Sequence, residues 1–140
     1  MRAKEYLKKI KKIDLMIRNR IAEQQHWRDM ALSITAQMNG ERVQSSGNQQ
    51  KMADAIIKAL DIGDENSGEI RELIEERREI IATLEQLNAT GYDVLYKAYV
   101  ERISFQEIAD ANNRSKDWVK KEHGIAMRNL QKLLNKRDGA

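Results

Sequence analysis

Residues 104–123 read SFQEIADANNRSKDWVKKEH. Ser104 followed by Glu107 makes a capping box, in which the two side chains satisfy free backbone donors of a first helical turn. Phe105, Ile108 and Ala109 then set apolar groups on one side of a short helix. The helix runs into Asn112-Asn113, and asparagine tolerates left-handed backbone better than most residues. Ser115 restarts a helix as its cap. A short capped helix, a turn of three or four residues and a longer helix form the helix-turn-helix pattern. In that pattern the first helix braces, the turn sets an angle and the second helix projects.

Downstream, Val119, His123, Ala126, Leu130 and Leu133 or Leu134 give the second helix a buried stripe. Its outer face carries Asp117, Lys120, Lys121, Gly124 and Arg128, with Lys116 at its N-terminus, the end that enters the major groove in such motifs. A cationic face with no acidic helix beside it favours double-stranded DNA, against the plainer reading of a solvated lysine face. The candidate DNA-contacting residues are Arg114, Ser115, Lys116, Asp117, Trp118, Lys120, Lys121 and Arg128. Trp118 reads equally as a core aromatic or as a contact to a sugar or thymine methyl. Upstream, Thr90-Gly91-Tyr92-Asp93 reads as a helix start with Thr90 as cap and Asp93 in the first turn. Tyr92, Leu95, Tyr96, Tyr99 and Val100 follow at helical spacing.

Before residue 88 the pattern changes to long heptads. Tyr6, Ile10, Ile13, Ile17, Arg20, Gln24, Trp27, Ala31, Ile34 and Met38 repeat at steps of four and three, which predicts one helix over 3–38. Leu7, Ile21 and Met30 are expected to widen its apolar stripe. After a polar stretch, Ser46 and Gln49 form a second capping box, and Ile56, Leu60, Gly63, Ser67, Ile70, Ile74, Arg77, Ile81 and Leu84 give a second seam. Leu73, Ile80 and Leu87 form another stripe beside it. Gly63 and Gly68 predict a kink or interruption over 61–68. The Val43–Gly47 loop reads as a connection with a cap, or as a partner- or phosphate-binding loop at a helix N-terminus.

The charge is segregated. Residues 1–20 carry eight Lys/Arg and two Asp/Glu, a net of +6, and residues 61–85 carry three against nine, a net of −6. Folding the chain back near residue 43 sets position i beside position 86 − i, which brings these segments together and sets Arg20 and Gln24 beside Ser67 and Gly63. The expected fold is all-α: a long antiparallel helical hairpin over residues 1–88, then a helix-turn-helix region over 89–140. Lys8 lies on the hairpin, so Lys8→Ala is expected to leave DNA binding nearly unchanged. Two apolar stripes on the second helix also predict a homodimer.

Composition narrows the class. The 140 residues hold no proline to break a helix and no cysteine for disulfides or thiolate metal sites, which suits a cytoplasmic protein. No apolar run approaches a membrane span, and the basic N-terminus lacks a signal peptide's apolar stretch. His26 and His123 stand alone, so no metal or other cofactor is expected. With no nucleophile beside a base and no glycine-rich phosphate loop, an enzyme is not expected.

Residues 92–134 resemble the fourth conserved region of bacterial sigma factors, on Glu107-Ile108-Ala109, Ser115, Val119, Ala126 and Leu130. That resemblance implies base and phosphate contacts at Lys116, Asp117, Lys120 and Lys121. Asn112 and Arg114 stand where that region usually has apolar residues, Asn113 stands at its usual turn glycine, and Trp118 where a polar or small residue is common. The whole chain, on AKEYLKKIKKID, VQSSGNQQKMA and the sigma-like end, resembles a small-protein family of phages and prophages of Gram-positive bacteria. That family is similar to late-gene regulators of the ArpU and RinA type. The resemblance implies transcription regulation, with host RNA polymerase as a further partner. Nothing matches the sigma segments that melt the −10 element. Two other readings stay open: a polymerase-binding, anti-sigma-like adaptor, and a packaging component like a small terminase subunit.

Overall fold

The computed structural model describes residues 1–40 and 46–139. Every element among them is helical: α1 (Ala3–Gly40), α2 (Ser46–Leu84), α3 (Ala89–Leu95), a π-helical turn (Tyr96–Val100), α4 (Phe105–Asn112) and α5 (Lys116–Asp138). The all-α class expected from composition is the class observed. Of the expected Val43–Gly47 loop, residues 43–45 lie outside the described residues while Ser46 and Gly47 open α2, and the side chains of the Ser46–Gln49 capping box and of the seam positions Ile34, Met38 and Leu60 lie outside what the structure describes. α2 runs through Gly63 and Gly68 without the expected interruption. Ser67 Oγ donates to the Gly63 carbonyl at 2.7 Å within that stretch.

The chain divides into two compact units, Met1–Asp14 with Glu75–Ala140, and Leu15–Ile74. The boundaries fall inside α1 and α2, so residues 75–88 belong to the same unit as α3–α5.

The first unit holds the core. Tyr6, Leu7, Ile10 and Ile13 of α1, Ile80 and Leu84 of α2, and Val119, Ala126, Leu130 and Leu134 of α5 are all buried. Burying each Leu or Ile contributes about 1.5–3 kcal/mol. Polar bonds fix how these helices meet. Tyr6 donates its hydroxyl to Thr83 Oγ1 at 2.9 Å. Asp14 accepts from Arg77 Nε at 2.7 Å and from Arg102 Nη1 at 3.1 Å. The expected meeting of a basic α1 with an acidic α2 is therefore made here in reverse, by the aspartate of one helix and an arginine of the other.

The second unit is built differently. Arg20 Nη1 donates to Asn66 Oδ1 at 3.4 Å, Asn66 Nδ2 donates to the Arg20 carbonyl at 3.0 Å, and Arg20 also pairs with Glu69. Gln24 Nε2 donates to the Gly63 carbonyl at 3.3 Å, and the Lys58 ammonium lies 4.5 Å from the Trp27 ring centroid. Residue numbers thus rise along α1 as they fall along α2. The α2 seam differs from the expected one: Asn66 and Leu73 turn inward, whereas Ser67 and Ile74 are exposed. Arg20 meets Asn66 rather than Ser67. A carboxamide reaches across and both donates and accepts, whereas the Ser67 hydroxyl is spent on its own helix. Ile21 and Met30, expected to widen the α1 stripe, are also exposed.

Candidate nucleic-acid interface

α4 and α5 are set by local chemistry that can be followed atom by atom. Ser104 Oγ accepts from the Glu107 amide at 3.1 Å, and Ser115 Oγ accepts from the Trp118 amide at 3.1 Å. Each serine satisfies one of the orphan donors of its helix. Between them Asn113 takes the left-handed conformation, at φ 53° and ψ 44°. The Asn113 amide bonds the Asp110 carbonyl at 3.2 Å and the Arg114 amide bonds the Ala109 carbonyl at 2.9 Å, the two bonds of a Schellman ending. A turn without glycine therefore closes, at the cost of about 1–2 kcal/mol for the left-handed asparagine, which its local bonds offset.

Asn112 replaces packing by hydrogen bonding. Its Nδ2 donates to the Ile108 carbonyl at 2.9 Å and to Asp93 Oδ2 at 3.3 Å, while Asp93 also pairs with Lys97. The start of α3 is set by Asn88, whose Oδ1 accepts from the Gly91 amide at 2.8 Å. This corrects the assignment of Thr90 as cap: an N-cap accepts from the amide two or three residues on, and the helix begins at Ala89. Gly91 is needed for packing. A Cβ there would come within 3.3 Å of the Ala126 Cβ and 3.1 Å of Asn88 Oδ1.

Beneath the turn, Val94, Ile108, Ala109 and Val119 form a buried cluster, with Ala98, Ile103, Phe105 and Trp118 packed against it. Trp118 is therefore half-buried, and the Arg114 guanidinium lies 5.4 Å from its ring centroid. Of the candidate contacts, Arg114, Ser115, Lys116, Asp117, Lys120, Lys121 and Arg128 are exposed. No ion pair or side-chain hydrogen bond among the described residues holds Lys116, Asp117, Lys120, Lys121 or Arg128. Asp117 does not brace either neighbouring lysine. Arg128 Nη1 would lie 3.7 Å from a Cβ built at Gly124, so the guanidinium reaches over that gap.

A second polar centre has no sequence signal. Tyr99 Oη and His123 Nε2 are 2.9 Å apart, and the His123 ring stacks on Tyr99 at 5.7 Å and tilts against Phe105 at 5.1 Å. It ties the π-helical turn and α4 to α5. Burial, with a smaller effect from the Lys4 charge, holds the His123 pKa below its usual 6.5. Unfolded chains therefore bind this proton more readily than folded ones. The stabilisation from neutral His123 is fully present above pH about 6.5 and is lost as pH falls through the folded pKa. We expect His123→Gln to flatten the rise in melting temperature between acidic and neutral pH, measured by circular dichroism. An unchanged profile would show that the ring titrates freely.

No described helix is long and apolar enough to cross a membrane. No family model, curated protein or solved structure matches the chain.

Proposed function

We propose that the chain is a double-stranded DNA-binding transcription regulator of phage type, acting in the cytoplasm. α4 and α5 serve as its helix-turn-helix, carried on a long antiparallel hairpin of α1 and α2. The observation that supports this most is the outer face of α5, where Lys116, Lys120, Lys121 and Arg128 are exposed without an anionic partner among the described residues. Four uncompensated cations on one short stretch of helix suit a polyanion. RNA polymerase is a second proposed partner.

The test is a titration of the full chain against duplex DNA over a range of salt, followed by footprinting on the host genome. Log affinity should fall linearly with log salt, by about 0.9 per phosphate contacted. Capture of polymerase with no binding to any duplex would replace this reading by the adaptor one. A closed ring of many subunits would favour the packaging reading.

The proposal includes a homodimer. In the unit Leu15–Ile74, Ile21 is 52% exposed, Ile57 55% and Leu32 63%, and Asn66 is the only buried residue among those whose side chains are described. Ile56 and Ile74, five helical turns apart, fall on one flank of the α2 seam. Two helices alone leave such flanks wet, and a second copy would cover them. Sedimentation should give a dimer, and Ile56→Gln with Ile74→Gln should shift it towards monomer. A wild-type monomer at high micromolar concentration would remove the dimer from the proposal.

A further inference from the structure

Resting on the reading of α5 as a DNA-contacting helix, we infer that Lys4, Lys8, Lys11 and Lys12 of α1 form a second track for DNA phosphates, flanking the α5 contact. The four follow one another at steps of four, three and one, so they share one side of the helix. All four are exposed, and no ion pair or hydrogen bond among the described residues holds any of them. Lys9 differs: it is half-buried and lines a small cavity of about 120 Å³ with Tyr6, Glu76, Glu79, Ile80 and Arg137.

The sequence suggests that the acidic stretch of α2 answers these lysines and that Lys8 is silent in DNA binding; the packing argues against the first, and the proposed track reverses the second. The buried side of α1, with Tyr6, Ile10 and Ile13, faces the core, and Asp14 is taken by Arg77 and Arg102. The lysines stand on the remaining surface with their charge uncompensated. Glu5 is the other carboxylate of residues 1–14, one position along from Lys4.

The stripe is fixed relative to α5. Gln131 donates through Nε2 to the Met1 carbonyl at 2.9 Å and accepts at Oε1 from the Ala3 amide at 2.8 Å. The Arg137 guanidinium lies 5.3 Å from the Tyr6 ring centroid. Lys4 is near enough for its charge to bear on His123, which lies one turn along α5 from Lys120. From Lys4 to Lys12 the helix rises about 12 Å. Phosphates succeed one another every ~3.4 Å along a strand's axis, so that length passes several of them. Lysine ammonium groups on flexible stems suit such backbone binding, which needs charge and reach rather than a fixed fork.

The experiment compares full-length variants on a mixed-sequence duplex of about three helical turns, ~30 base pairs. Lys8→Gln, Lys11→Gln and Lys12→Gln are combined, leaving Lys4 in place beside His123. Glutamine matches lysine closely in helix propensity, so helicity should persist, as circular dichroism would verify. We expect the slope of log affinity against log salt to become shallower by about 0.9 for each phosphate no longer neutralised, roughly two to three units in all. Lys9→Gln, on the other flank, should leave the slope near wild type. A triple variant with the wild-type slope, while Lys120→Ala with Lys121→Ala flattens it, overturns the α1 track and leaves the α5 reading standing. A triple variant that flattens the slope while the α5 variants do not would retire the α5 reading instead. A wild-type chain that binds no duplex overturns both.

Discussion

Replacing Ile108 by alanine is expected to lower stability by about 2–5 kcal/mol, the range for removing a large aliphatic side chain from a packed core. Ile108 is fully buried in α4, clustered with Val94, Ala109 and Val119. The cavity it leaves is walled by three elements that other bonds hold in place: α3 through Asn88, the α4–α5 turn through Asn113, and α5 through the Ser115 cap. Collapse around the gap is therefore restricted, which favours the upper part of the range. Against a whole-domain stability of only about 5–15 kcal/mol, such a loss is large. Thermal melting should show it directly. DNA affinity should fall with the folded fraction, though Ile108 is out of reach of any ligand. Gln106→Ala on the exposed side of α4 should stay within about 0.5 kcal/mol. If Ile108→Ala melts like the wild type, α4 is not the brace that holds α5.

Much of this region is legible in the sequence, because its determinants are local. Ser104, Asn113 and Ser115 act on backbone groups within five residues of themselves, and their chemistry restricts what they can do there. Thr90 is the wrong cap for the same kind of reason: Asn88 is also a capping residue, and only the helix start decides between them. The α2 seam is less legible. Ile70, Leu73, Ile74, Ile80, Ile81 and Leu84 offer two apolar stripes one residue apart, and periodicity alone does not choose between them. Packing does, by burying Asn66, half-burying Leu73 and leaving Ser67 and Ile74 exposed. The charge pattern misleads in part. Segment totals say nothing about which side of a helix each lysine occupies. Tyr99 and His123 lie 24 positions apart, with no period linking them, so their bond belongs to tertiary structure.

The α5 face itself is expected to respond unequally to mutation. Lys120 and Lys121 are both exposed and unpaired among the described residues, but they point along different sides of the helix, about 100° apart. If α5 lies in the major groove, one sits closer to the bases and the other closer to a backbone. The phosphate-facing lysine, changed to alanine, should weaken binding to all sequences alike and flatten the salt slope by about one unit. The base-facing one should cost about 1–3 kcal/mol at a single base position and relax preference there. Asp117 has the opposite sign. It holds neither lysine, so its carboxylate is free to accept from a cytosine amine, and it repels phosphate when no cytosine is present. Asp117→Ala should therefore relax specificity while leaving nonspecific affinity unchanged or higher. All three variants alter exposed groups and should melt close to wild type, which separates them from Ile108→Ala. The measurement is affinity for the footprinted site and for mixed-sequence duplex, each across salt. Full affinity and an unchanged slope in both lysine variants, with folding intact, would show that α5 does not touch DNA.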